Sequence, residues 1–234
     1  MKGALIAIEG IDGTGKNTQA TLLVEYIKSI GYKVKKFQFP NYSKTFFGKE
    51  VGHYLNGDFG GLNQIHPKLV SLLYAGDRFE SQKEIMEYLE NGYFVICDRY
   101  VSSNIAHQSV KLPQDELPSF LKWVEEMEYG VFDLPKPDHT ILLDLHPTIA
   151  QKMVLKKEKR SYTEHKQDIH EKDKSYLLKV YEAYNILLNQ DSWSKVPCQL
   201  GNHMRTPQDI FNDIKKLLHY EFDDFMDRIN TAKI

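Results

Sequence analysis

Apolar positions along the chain fall into two rhythms. Unbroken runs at Ala4–Ile8, Tyr93–Cys97 and Thr140–Leu145 read as strands buried on both faces of a parallel sheet. Lys33–Phe39 alternates and reads as a strand near a sheet edge, and Val196–Leu200, which holds Pro197, as the weakest strand and another edge. Between them the spacing turns helical. Leu23, Ile27 and Ile30 precede a stop at Gly31, and Lys44–Leu55 is closed by Asn56-Gly57. Pro67–Glu90 is a long helix with Leu69, Leu72, Leu73, Ile85 and Leu89 as its apolar face. Asp115–Glu128, carried by Leu117, Leu121 and Val124 and stopped by Gly130, is another. Further helices are predicted from Pro147, over Asp173–Leu188, and from Thr206 to about Tyr220, with a polar helical tail to Ile234. Strand and helix alternating in this way predict an α/β fold: a doubly wound parallel sheet of about five strands with helices on both faces. With no repeat or low-complexity segment, a single domain over residues 1–234 is the simplest organisation.

The densest chemistry lies where the first apolar run meets the first helix. Gly10-Ile11-Asp12-Gly13-Thr14-Gly15-Lys16-Asn17-Thr18 follows the strand directly and opens the helix, the context a phosphate-binding P-loop requires. Glycines let successive backbone N–H groups turn inward onto phosphate oxygens, and the helix N-terminus adds its positive dipole end. Lys16 supplies a full charge for the β- and γ-phosphates. These nine residues form the candidate ATP site. The strict pattern fails at Asn17, where a Ser or Thr ordinarily holds Mg²⁺, although Thr18 keeps a hydroxyl one step on. The Asn17 amide oxygen, or a water it orients, is one candidate Mg²⁺ ligand. Asp98, ending the second apolar run, is the other.

Arg99 stands beside Asp98 at the same sheet edge, buried and paired if structural, aimed at phosphate if functional. Tyr74 and Arg78 are four apart on one helix and so share a side. They frame either a flat base or nothing more than a half-buried ring beside a solvated guanidinium. Lys156–Lys174 is charged at 12 of 19 positions, with both signs mixed, so it is either a solvated helix or a lid that brings Arg160 over a nucleotide.

Composition narrows the classes. At 234 residues, 41% hydrophobic, 26% charged and a formal net charge of −2, the chain has no basic excess that asks for nucleic acid or an anionic membrane. There is no apolar run of transmembrane length, and the first strand begins almost at the first residue, so a cytoplasmic protein is expected. Cys97 and Cys198 read as buried thiols, and the nine histidines form no ligand pair, His165 and His170 included.

Five short motifs in register resemble the thymidylate (dTMP) kinase family. They are Glu9-Gly10-Ile11-Asp12-Gly13-Thr14-Gly15-Lys16, Phe39-Pro40-Asn41-Tyr42, Leu73-Tyr74-Ala75-Gly76-Asp77-Arg78, Asp98-Arg99-Tyr100 and Leu134-Pro135-Lys136-Pro137-Asp138. Asp168-Ile169-His170-Glu171-Lys172-Asp173 also looks like the segment after the lid in bacterial members. The resemblance spans residues 3 to 220 and implies ATP-dependent, Mg²⁺-assisted phosphorylation of dTMP to dTDP by a homodimer. It implies that Lys16 and Arg99 gather charge at the transferring group, with Arg160 closing from the lid. Asp12 would then bond the sugar 3′-hydroxyl, Tyr74 would stack on thymine and Arg78 would bond its exocyclic oxygen. Phe39 and Tyr42 would line the acceptor phosphate, with Asn104 or Gln108 near the base. His107 takes the place of a tyrosine that packs near C2′, which bears on ribose exclusion, and Ser109 replaces a common glycine. Rival readings are another deoxynucleotide or nucleoside kinase on the same fold, or a nucleotide-binding regulator that has lost catalysis.

Overall fold

The computed structural model describes residues 3–62, 64–155 and 174–218. Five parallel strands run in the order β2-β3-β1-β4-β5. β1 (Ala4–Glu9), β3 (Phe94–Asp98) and β4 (His139–Asp144) occupy the middle and are buried along almost their whole length. β2 (Val34–Gln38) and β5 (Trp193–Pro197) form the edges and are only partly covered. Their composition explains the placement. A strand covered by helices on both faces must be apolar throughout, whereas the edges tolerate Lys35, Lys36 and Lys195. β1 lies in register with β3 from Ala4↔Phe94 to Ile8↔Asp98, and with β4 up to Glu9↔Leu142. The chain therefore crosses to opposite sides of β1, and the carboxyl ends of β1, β3 and β4 open onto one crevice, where ligands sit in sheets of this kind.

The helices are α1 (Lys16–Ser29), α2 (Phe46–Asn56), α3 (Pro67–Glu90), α4 (Val101–Ser109), α5 (Leu117–Glu125), α6 (Pro147–Leu155) and α7 (Lys174–Leu187). A last helix covers residues 207–218, its Thr206 hydroxyl accepting from the Asp209 amide. Their ends follow local chemistry. The Thr45 side chain accepts from the Gly48 amide to start α2, and Gly57 at φ 91° closes it in the left-handed region. Gln199–Leu200 and His203–Met204 add a small antiparallel hairpin after β5.

Four expectations are corrected. Leu69 and Leu72 are exposed, not inward; Ile85 and Leu89 are buried as expected, and Val70 and Ala75 complete the packed face of α3. The helix expected over Asp115–Glu128 is a 3₁₀ turn (Gln114–Glu116), then α5, then a π-helical turn over Glu126–Val131. Gly130 lies inside that turn, and the chain reverses at Asp133, φ 48°. β5 begins at Trp193, three residues before the expected start, because its early residues alternate weakly and face solvent on one side. Ile30 ends α1 half-exposed and adds nothing to its buried face. The segment 156–173 with Arg160, His165 and His170, and the tail 219–234, lie outside the described residues.

Candidate active site

The loop between β1 and α1 is shaped by backbone crowding. Gly10 (φ 141°) would place a Cβ 2.8 Å from the Leu143 carbonyl oxygen, and Gly13 (φ 90°) one 2.3 Å from that of Ala150. No side chain fits at either position, so the loop can close only with glycine. Lys16 is buried and folds back across the loop, donating to the carbonyls of Gly10 (3.0 Å) and Ile11 (2.8 Å). The Thr14 hydroxyl donates to the Ile11 carbonyl at 3.0 Å. An ammonium and the start of a 14-residue helix thus share one concave turn, an anion-binding arrangement.

Across the crevice, β3 delivers Arg99 in the left-handed region, φ 68°. Its guanidinium donates to Asp12 Oδ1 (2.6 Å), Ser103 Oγ (3.1 Å) and the Gly10 carbonyl (3.3 Å), tying the end of β3 to the P-loop. The unusual backbone there is held by Glu9, fully buried at the end of β1. Its carboxylate accepts from the amides of Tyr100 (2.8 Å) and Ser103 (3.2 Å) and from the hydroxyls of Ser103 and Tyr184. Burial raises the Glu9 pKa, while those hydrogen bonds and the Arg99 charge pull it back. Tyr100 donates to the Pro135 carbonyl, and Asp138 accepts from the Leu5 amide. The Leu134–Asp138 motif is therefore a brace for β1 and α4.

Between α2, α3 and α4 lies a cavity lined by Asp12, Phe39, Tyr42, Tyr74, Arg78, Arg99, Asn104, His107 and Gln108, together with Pro40, Leu55 and Ser103. Every residue expected to touch an acceptor is brought together here. The wall is held by residues that sequence patterning missed. Asp77, buried on α3, accepts from the Asn41 amide (2.9 Å) and the Thr45 hydroxyl and so fixes the Phe39–Tyr42 loop. Its pKa is raised by burial. Glu128 accepts from Arg78 Nε (2.8 Å), Arg78 Nη2 and Asn104 Nδ2 (2.8 Å) with neither partner exposed to solvent. Tyr176 of α7 donates to the His107 carbonyl (2.9 Å), so the His107 Nδ1 contact at 3.1 Å is a donation from the ring. Burial, then Arg99, pushes the His107 pKa down to about 3, and the ring is neutral at physiological pH. Lys111, just past α4, donates to Tyr54 Oη and Gln108 Oε1, both at 2.8 Å, and burial lowers its pKa to about 7. Asp77, Glu128 and Tyr176 act on partners far away in sequence, so no local spacing could have revealed them; only the Lys111–Gln108 contact is local.

The expected metal ligands are not brought together as donors. Asp98 is buried at the end of β3 and fits a hard cation. Asn17 is exposed, and its Oδ1 accepts from Lys36 Nζ at 2.6 Å; the same ammonium donates to Thr21 Oγ1 (2.9 Å) and the Asn17 carbonyl (3.3 Å). An ammonium thus shares the oxygen that a metal would use, and that oxygen keeps a second lone pair. Thr18 is also exposed. Among the described residues, no cluster of three or more His, Cys, Asp and Glu could hold a metal by itself.

A P-loop after a central strand, an arginine tying that loop to a neighbouring strand end, and a cavity of mixed polar and apolar lining beside both define a nucleoside monophosphate kinase on a doubly wound sheet. Comparison with known proteins agrees. The thymidylate kinase family model matches residues 8–197, and the chain belongs to that family. It is 32% identical over 215 residues to a thymidylate kinase of Plasmodium falciparum, covering 92% of this chain and 89% of that one. It is also 32% identical to a probable thymidylate kinase of Pyrococcus abyssi, over 94% of this chain and 98% of the other. The solved thymidylate kinase of Candida albicans superposes with a TM-score of 0.74 at 25% identity, over 94% and 92% of the two chains.

Proposed function

We propose that the chain transfers the γ-phosphoryl group of ATP to dTMP, giving ADP and dTDP. One observation supports this most: the nine side chains expected to hold the acceptor, from Asp12 to Gln108, line one cavity next to the P-loop. Phosphoryl transfer asks the protein chiefly for positioning and charge. The Gly10–Thr18 loop cradles the donor phosphates, and Lys16 moves from its own loop carbonyls onto them. Arg99, bonded to Gly10 and lining the acceptor cavity, serves both phosphates, and Asp12 holds it there while facing the sugar. Phe39 and Tyr42 close the acceptor-phosphate end. Tyr74 offers its ring to the base and Arg78 a donor to its exocyclic oxygen. His107, neutral and held by Tyr176, faces the sugar. Mg²⁺, when bound, neutralises phosphate charge; Asp98 is the residue placed to hold it, and Asn17 acts by anchoring Lys36. Arg160 in the 156–174 segment is assigned the closing charge.

The chain is assigned as one kinase domain acting as a homodimer in the cytoplasm. Exposed Leu69, Leu72 and Phe79 on α3 support a second copy, and no helix among the described residues is long and apolar enough to cross a membrane.

The thymidylate kinase of Candida albicans is described as having broad substrate specificity, so the base preference of this chain needs direct measurement. ADP release is followed with dTMP, dUMP, dCMP, dGMP, dAMP and the ribose analogue of dTMP. A base site that hydrogen-bonds its ligand leaves polar groups unpaired with the wrong base, so dTMP leads dCMP and both purines by at least about tenfold in kcat/KM. Because His107 is smaller than tyrosine, the ribose analogue is penalised less than it would be with tyrosine at this position, and His107→Tyr sharpens that selectivity. Equal efficiency with dGMP would end the thymidylate reading, and no turnover with any acceptor would favour a regulator.

A further inference from the structure

Glu128 is fully buried behind the cavity wall and is not among the residues that line the cavity. It enters the core only because the π-helical turn over Glu126–Val131 adds a residue to the helical repeat, burying Met127 and Glu128 side by side. There its two oxygens accept from two residues of the wall. Arg78 gives Nε and Nη2, while its Nη1 donates to the Tyr100 carbonyl at 3.5 Å and keeps a second N–H to offer. Asn104 gives Nδ2 at 2.8 Å, and that same nitrogen donates to the Ser71 carbonyl at 3.1 Å. Both amide protons of Asn104 are therefore spent. Its Oδ1 is buried with no hydrogen-bond partner among the described residues, on a side chain that lines the cavity.

A carboxylate accepts and cannot donate. Opposite Glu128, the Asn104 amide has one acceptable orientation, NH₂ to the carboxylate, and its buried C=O is left as the group with a bond still to make. A neutral amide at position 128 could also donate, leaving the Ser71 carbonyl as the one acceptor-only partner that holds this orientation. We propose that Glu128 is a positioning residue that fixes the polarity of the base wall, committing Asn104 to present an acceptor beside the donor of Arg78. That order matches an imide edge, an N–H next to a carbonyl, as in thymine and uracil. It mismatches an amino-pyrimidine edge, where a ring nitrogen lone pair adjoins an NH₂. The inference rests on the thymidylate reading above and deepens it, since selectivity between the two pyrimidine classes is set by a residue outside the contact shell.

The test compares wild type, Glu128→Gln and Glu128→Asp with dTMP and dCMP. In E128Q the dTMP:dCMP ratio of kcat/KM falls by about tenfold or more, the scale of one hydrogen bond to a correctly presented group. Most of the loss lies in the KM for dTMP, and kcat at saturation changes little, because the phosphoryl-transfer groups are untouched. E128D, still acceptor-only, keeps the ratio within about threefold even where it melts earlier. A merely structural role would lower the melting temperature of both variants and leave both ratios alone. Should E128Q not fold, wild-type protein labelled with ¹⁵N at asparagine side chains decides. The Asn104 amide protons exchange slowly with solvent in free and dTMP-bound protein if they are committed to Glu128 and Ser71. Fast exchange in the free protein overturns the proposal. A wild type that takes dCMP as readily as dTMP overturns this inference and the reading beneath it. A wild-type preference that E128Q preserves overturns the positioning role alone.

Discussion

Position 17 carries an amide where the P-loop pattern has a hydroxyl, and the consequence is visible one strand away. Lys36 on β2 reaches over and donates to Asn17 Oδ1 at 2.6 Å, next to the buried Asp98 at the end of β3. Partial burial lowers the Lys36 pKa, and the Asp98 charge opposes that shift. An ammonium and a divalent cation repel each other, so on the proposed reading Lys36 would compete with Mg²⁺ held at Asp98. Replacing Lys36 by Met should lower the Mg²⁺ concentration for half-maximal rate by about threefold or more, the effect of removing one nearby unit charge at an effective dielectric typical of a protein surface. Mn²⁺ binding to the enzyme–ADP complex, followed by electron paramagnetic resonance, should tighten in parallel, and Asn17→Thr should move both readouts in the same direction. Superimposable titrations for wild type and the Lys36 variant would show that this ammonium plays no part at the metal.

At the scale of elements, α4 is the frame of the acceptor site. Its first turn is pinned by Glu9, its middle by Glu128, and its end by Lys111 holding Gln108. The last of these gives a pH dependence. Lys111 has an ordinary pKa of 10.5 that burial lowers to about 7 in the folded chain. Between those values the unfolded chain binds more protons, so the contribution of Lys111 to stability grows as pH rises from 7 toward 10.5 and is lost as pH falls through 7. Denaturant unfolding of wild type against Lys111→Met should show a stability difference that tilts toward wild type between pH 7 and pH 10 and is level below about pH 6. A level difference throughout would mean that Lys111 stays charged in the fold. Some of this frame was legible in the sequence. Unbroken apolar runs marked β1, β3 and β4, the glycine loop marked the start of α1, and the four-residue spacing of Tyr74 and Arg78 put both on one wall. Glu128 was not legible, because a glutamate at the end of a helical pattern reads as solvated. Its burial depends on an extra residue in the turn and on an arginine 50 positions earlier. Asp77 and Glu9 were hidden for the same reason: their partners are backbone amides and hydroxyls brought near only by the fold.

At the scale of the whole molecule, the misread face of α3 becomes the strongest evidence for assembly. Leu69, Leu72 and Phe79 are 59%, 38% and 48% exposed, and at three and seven residues apart they spread over only about 80° of the helix circumference. Phe79 lies against Phe132 with ring centroids 4.8 Å apart, and Phe46 at the start of α2 is also exposed. Three large apolar side chains turned outward on one long helix support the proposed homodimer, since two copies of the same helix related by a two-fold axis are self-complementary. The same helix carries Tyr74 and Arg78 on its inner side, so docking its outer face would stiffen the base wall. Sedimentation should give wild type twice the 27.3 kDa chain mass, while Leu72→Glu with Phe79→Glu should sediment as a monomer. In that monomer the KM for dTMP should rise by severalfold with a smaller change in the KM for ATP, because the P-loop hangs from β1 and α1 and not from α3. A wild type that sediments as a monomer, or a charged variant that still pairs, would place the interface elsewhere. A monomer with unchanged KM for dTMP would keep the dimer and remove its link to the site.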